Sequence, residues 1–114
     1  LNTLRKHLSW ARGGHLAEAA YPAKVVSLIF SDIPGDDISY VASGPTVLDT
    51  TTVADAEFIA RKYNLEISTI YLTETPKDEK YFRRVKNRVL VSNSLALSAM
   101  SKKAKELWNS SKPN

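Results

Sequence analysis

The sequence predicts an α/β fold: a βαβ-type layered arrangement with a small, mainly parallel sheet flanked by helices. Two observations predict it. The runs "KVVSLIF" (24–30) and "RVLVSN" (88–93) are apolar at successive positions, as in strands covered on both faces of a parallel sheet. Helical stripes follow each run. The order strand, helix, strand, helix calls for parallel strands joined by a right-handed crossover.

The elements follow in chain order. Asn2 or Thr3 can cap a first helix, since either side chain accepts from a free N–H. Leu4, Leu8 and Ala11 continue it at helical spacing. Gly13–Gly14 ends or bends it, because glycine tolerates positive φ cheaply. "HLAEAA" (15–20) predicts a short second helix that stops before Pro22. The first strand is expected near 24–31. Thr52 with Asp55 resembles a capping box. Val53, Ala56, Ile59 or Ala60, and Tyr63 stripe the crossover helix, with Arg61 and Lys62 near its negative end. "ISTIYLTETP" (67–76) stays open: propensity favours a strand, while length and the Ser68 cap allow a short helix. The second strand is expected near 88–92. "SLALSAMSKKAKELW" (94–108) reads as a helix with Leu97, Met100, Ala104 and Leu107 on one face. The tail "NSSKPN" is polar and reads as frayed. Trp10 and Trp108 read as packing residues.

Composition bounds the function. The chain has 114 residues, 43% hydrophobic and 25% charged, which suits one globular α/β segment over 1–114. There are no cysteines, so no disulfide framework and no thiolate metal site. That fits a reducing, cytoplasmic setting. No apolar run approaches a membrane span, and no signal peptide is visible. The chain opens on Leu1, which fits a processed piece or a fragment. The net charge is +4, and the basic residues cluster at Arg5–Lys6–His7, 77–88 and 102–106. Such clusters can meet a polyanion, but acids are interspersed and Tyr81 and Phe82 are too few for a stacking platform. Nucleic acid is the weaker reading.

The loop "SDIPGDDISYVASGPT" (31–46) follows the first strand directly. Ligands in open α/β sheets sit beyond the carboxyl ends of the strands. The Ser92–Asn93–Ser94 turn ends the second strand at a helix N-terminus, which attracts anions. Both polar turns therefore belong to one edge. Asp32, Asp36 and Asp37 are hard oxygen donors suited to Mg²⁺. They equally suit Asx-turns that hold the loop in shape. "SGPT" (43–46) offers backbone N–H groups with little bulk, as an anion needs, and is also a plain turn. Arg12–Gly13–Gly14 is similarly double-edged. Arg5 and Lys6 can meet phosphate or simply form a solvated face. No P-loop occurs, and nothing fixes His7 and His15 on one face.

"NTLRKHLSWARGGHLA", "SDIPGDD" with "VASGPTVLD", "ETPK" and "VSNSLAL" carry a resemblance. In order and spacing they are similar to the glycerate 2-kinase family whose members end in a MOFRL domain. The resemblance runs from residue 2 to about 104. Small departures are Arg12, where Lys is usual, and Leu48, where Pro is common; residues 66–74 match poorly. The resemblance implies a middle slice of the kinase's larger N-terminal domain. It implies phosphorylation of D-glycerate by ATP with Mg²⁺ to give 2-phosphoglycerate, with the slice inactive alone. A kinase needs metal to neutralise phosphate charge and basic groups to steady the transferred phosphoryl. The residues expected to supply these are Asp36 and Lys6 for catalysis and Asp32 and Asp36 for metal. Arg5, Ser43, Gly44, Thr46 and Asn93 are expected at substrate or nucleotide. The expected partners are glycerate, ATP, and either the rest of the kinase chain or a second copy. The other class left open is a small α/β ligand- or nucleic-acid-binding module without catalysis.

Overall fold

The computed structural model describes residues 1–66 and 71–110. Helices α1 (Asn2–Leu8) and α2 (His15–Ala20) precede strand β1 (Val25–Phe30). Helix α3 (Val53–Lys62), strand β2 (Val85–Val91) and helix α4 (Asn93–Ser110) follow. Short 3₁₀ turns lie at Val41–Ser43 and Glu79–Tyr81. The open question over 67–76 falls partly outside the described residues; Leu72 to Pro76 form neither helix nor strand.

β1 and β2 pair in parallel, from Val25 opposite Val85 to Phe30 opposite Val91, with a register shift between Ile29 and Phe30. The βαβ order is thus met, and β2 begins three residues before its expected start. Lys86 carries the ladder there as readily as an apolar residue, since its side chain is exposed. The capping box at α3 is present: Asp55 N–H donates to Thr52 Oγ1 at 3.2 Å, and Thr52 N–H donates to Asp55 Oδ2 at 2.8 Å. Ser92 Oγ accepts the Leu95 N–H at 3.1 Å and so caps α4. α1 is shorter than expected. Ser9 is already extended at φ −124°, so Ala11 lies beyond the helix.

The core forms where α1 crosses α3: Leu4, Ala56 and Ala60 are buried, with Ile59 and Leu72 against them. Three expectations of burial are overturned. Val26, Leu28 and Phe30 are each more than 60% exposed, so one face of β1 is bare and the strand alternates. α4 buries none of its residues, and Leu97, Met100 and Leu107 face outward. Trp10 and Trp108 are 84% and 70% exposed rather than packed. The physical reason is shared: among the described residues no element lies against these faces. The molecule extends 69 × 39 × 16 Å with a radius of gyration of 19.2 Å. A compact chain of this length would have about 13 Å.

Candidate functional site at the carboxyl edge of the sheet

The two polar turns do meet. Asp36 has φ +52°, a left-handed conformation uncommon outside glycine. It brings its Oδ1 to the Asn93 N–H at 3.3 Å, at the start of α4. A carboxylate thus already stands at the positive end of that helix. Its neighbour Asp37 does what a turn aspartate does: Oδ1 accepts the Ser39 N–H at 2.9 Å. Bonds from Ser39, helped by the Lys6 ammonium, hold the Asp37 carboxyl below its ordinary range. Asp32 is exposed and has no hydrogen bond or ion pair among the described residues. Ser31, between β1 and Asp32, is 6% exposed and its Oγ has no partner. A buried hydroxyl left unpaired is rare and calls for an explanation. Among the described residues no three His, Asp or Glu converge into a metal-holding group.

Lys6 is brought to Asp49 rather than to Asp36. Its Nζ donates to Asp49 Oδ1 at 2.9 Å, with the two side chains 8% and 1% exposed. Asp49 gathers the surrounding groups. Thr51 Oγ1 and Thr75 Oγ1 donate to Oδ2 at 2.8 and 3.1 Å, and the Thr51 N–H donates to Oδ1 at 3.3 Å. Burial pushes the Asp49 carboxyl up. The bonds from Lys6 and Thr51 push it down and win, leaving it below the ordinary aspartate range. Lys77 Nζ donates to the carbonyl oxygens of Asp49 and Thr51 and to Thr75 Oγ1. His7, 1% exposed, donates from Nδ1 to the Thr73 carbonyl at 2.9 Å, and its Nε2 lies 3.8 Å from Asp49 Oδ2. Lys6, Asp49 and Thr51 line a cleft of about 240 Å³ that also reaches Ser39 and Tyr40. The acidic loop and the buried ion pair therefore share a wall.

The glycine motifs lock to each other. Gly13 N–H donates to the Ser43 carbonyl and Gly14 N–H to the Gly44 carbonyl, both at 2.9 Å. Ser43 and Gly44 N–H groups are taken by Tyr40 and Val41 carbonyls. Two of the backbone donors expected to meet an anion at "SGPT", those of Ser43 and Gly44, are thus occupied. Ser43 Oγ donates to Asn2 Oδ1 at 3.1 Å, and Thr46 Oγ1 donates to Asn87 Oδ1 at 2.6 Å. Ser43, Gly44 and Thr46 are buried and tie the loop to α1 and to the sheet. Arg5 is exposed and has no side-chain hydrogen bond or ion pair among the described residues.

Sequence reasoning missed Asp49, Thr51, Thr75, Lys77 and Ser31. A signal existed for the first two. Aspartate followed by threonines, as in Asp49–Thr50–Thr51–Thr52, favours local carboxylate–hydroxyl bonding. Nothing local marks Ser31, whose burial depends on the tertiary fold.

Residues 1–73 match the family described as Domain of unknown function (DUF4147). A putative hydroxypyruvate reductase of Agrobacterium vitis is 48% identical over 105 residues, 87% of this chain and 24% of that protein. The glycerate kinase of Bos taurus is 43% identical over 115 residues, 94% of this chain and 22% of that protein. The crystal structure of glycerate kinase from Thermotoga maritima superposes with a TM-score of 0.74 at 38% identity, covering 92% of this chain and 26% of that one. The chain thus spans about a quarter of the length of the relatives it matches. The resemblance carried by its motifs is met by glycerate kinases in both sequence and fold, and the chain belongs to the DUF4147 family.

Proposed function

We propose that this chain is part of a glycerate 2-kinase, which transfers the γ-phosphoryl group of ATP to the 2-hydroxyl of D-glycerate. The observation that carries the reading is joint likeness, in sequence and fold, to glycerate kinases across a segment whose strand-end edge is polar. The hydroxyl oxygen attacks the γ-phosphorus, the bond to the bridging oxygen of ADP breaks, and the hydroxyl proton leaves to a carboxylate. Asp36 is our candidate for that carboxylate, since only one of its oxygens is engaged, by Asn93. Mg²⁺ arrives with ATP as substrate. It takes one or two carboxylates beside phosphate oxygens and waters, and Asp32 and Asp36 fit that need. Lys6 donates only to Asp49 and lines the cleft, so its remaining N–H groups serve as counter-charge to phosphate. Arg5 has the same use, and Asn93, whose N–H is taken by Asp36, would meet substrate through its side-chain amide. Ser43, Gly44 and Thr46 hold the loop from behind. The remainder of the kinase, including its MOFRL domain, would cover the bare faces, in the cytoplasm.

The reductase name of one relative suggests hydride transfer instead. The four glycines, Gly13, Gly14, Gly35 and Gly44, cannot form the G-x-G-x-x-G dinucleotide fingerprint. That chemistry therefore has no support within these 114 residues, whereas the polar strand-end edge suits phosphoryl transfer.

The test is Asp36→Asn in the whole kinase. Asparagine keeps the shape and the bond to Asn93 but loses the anion. Turnover should fall at least a hundredfold while the melting temperature moves by only a few degrees. Near-normal turnover would reduce Asp36 to a turn residue.

A further inference from the structure

We propose that a cavity beside the end of α1 receives the heteroaromatic base of a nucleotide, with His15 meeting its polar edge; this rests on the nucleotide dependence proposed above. The cavity has a volume of about 400 Å³ and is lined by Leu8, Ser9, Trp10, His15, Tyr71 and Thr73. Small-ligand pockets commonly measure about 300–1,000 Å³. No Lys, Arg, Asp or Glu lines this one, so it does not suit a phosphate or a carboxylate. Its lining mixes two aromatic rings and Leu8 with the polar Ser9, His15 and Thr73. Trp10 and Tyr71 are 84% and 73% exposed, and neither ring meets another aromatic ring among the described residues. Nucleobases stack on such rings with little regard to sequence, because every base has a π-face.

His15 supplies the second observation. Its side chain is 9% exposed, and Nδ1 lies 3.5 Å from Glu18 Oε2, beyond a good hydrogen bond. Neither ring nitrogen makes a hydrogen bond among the described residues. Neither is fully enclosed, since Ser31 Oγ is the one enclosed side-chain polar atom there without a partner. The imidazole therefore opens onto free space, and the cavity is the space it borders. A ring nine-tenths buried, without a hydrogen bond among the described residues and with its nitrogens open to the cavity, is placed to bond an occupant there. Ser9 Oγ accepts the Ala11 N–H at 3.4 Å, which leaves its own O–H to donate. Aromatic walls with an imidazole and hydroxyls at the rim suit a flat ring carrying both donors and acceptors. A saturated chain would leave the rim unused. Leu8 borders this cavity and Lys6, two residues earlier on α1, borders the neighbouring cleft. Residues two apart on a helix face away from each other, so the base cavity and the cleft flank α1 on different sides and the proposal concerns the base alone.

The test uses this chain with Trp108→Phe, which leaves Trp10 as its single tryptophan. Adenosine, ATP and inorganic tripolyphosphate are titrated separately, followed by Trp10 fluorescence and by calorimetry. Adenosine and ATP should quench Trp10 saturably, and tripolyphosphate should not. Trp10→Ala and His15→Ala should each weaken adenosine binding at least tenfold by calorimetry, with the circular dichroism unchanged. Should His15→Ala fail to fold, Trp10→Ala carries the test, since Trp10 holds up no core. ATP binding that is unchanged in Trp10→Ala overturns the base site and leaves the kinase reading intact. Binding of neither ATP nor adenosine by the folded chain overturns the base site, while the kinase reading is decided separately by Asp36→Asn in the whole kinase.

Discussion

A carboxylate that is 1% exposed and still charged needs its partners brought to it by the fold, and Asp49 has them from three segments. Gly13 is part of the same fit. A Cβ there would stand 2.7 Å from Thr75 Cγ2 and 2.9 Å from Lys6 Cβ, so the position has no room for a side chain. Removing one member of a buried ion pair leaves the other unpaired and costs about 3–5 kcal/mol. Asp49→Asn should therefore destabilise the chain by that order, and adding Lys6→Met should recover part of the loss. Urea melts of the single and double variants measure both. An Asp49→Asn variant within about 1 kcal/mol of the parent would mean that the pair holds nothing. The pH dependence has a definite sign. The folded Asp49 carboxyl lies below its unfolded value of about 3.9. Its contribution is complete above that value and is lost as pH falls through the lower, folded one. Stability should drop below about pH 4, and the drop should be smaller in Asp49→Asn. Exposed carboxylates such as Asp55 and Asp78 are lowered by local bonds to Thr52 and Lys80, and salt screens them. The sequence made Lys6 and the aspartate loop legible as polar. It did not make the Lys6–Asp49 pairing legible, because 43 residues separate the partners.

Elements were more legible than contacts, since each start signal acts over three or four residues. Thr52 and Asp55 form the box that their spacing suggests, and Ser92 caps α4 from the turn marked as polar. Thr52→Ala removes the side-chain acceptor and should cost about 1 kcal/mol, a fall of several degrees in melting temperature. Thr52→Ser should restore most of it. Equal stability of the two variants would mean that α3 is held by its packing on α1 alone. Local signals also explain the misses. The stripe on α3 is right at Ala56 and Ala60 and wrong at Tyr63, which is 64% exposed. Periodicity reports which residues can face a core but not whether anything lies opposite. The same limit applies to β1. Its unbroken apolar run promised cover on two faces, and cover within the described residues lies on one. There Ser27 meets Thr46 at 2.9 Å.

The whole molecule is a thin slab, 16 Å along its shortest axis, and that dimension bears on activity. The 114-residue chain alone is expected not to phosphorylate glycerate. Phosphoryl transfer depends on charges converging from several sides and on substrates held in line. Here the candidate groups lie along one edge of a two-stranded sheet, with Asp32 and Arg5 open to water. Ion pairs to phosphate are worth little at such exposure, and no lid is present among the described residues to exclude water. Leu28, Phe30, Met100 and Trp108 stand 61–70% exposed on the same slab. Apolar surface of that kind marks an interface, so the chain should self-associate, with sedimentation giving a mass above 12.7 kDa that rises with concentration. Self-association covers apolar faces but adds no second wall of new chemistry to the strand-end edge. An ATP-consumption assay with glycerate and Mg²⁺ decides the matter. Turnover near 1 s⁻¹, at the low end of about 1–100 s⁻¹ for kinases, would mean that the reacting groups are complete within these 114 residues. In that case the catalytic charge would have to come from the Lys6–Asp49–Lys77 cluster, already assembled, rather than from a cleft closed by the rest of a larger enzyme.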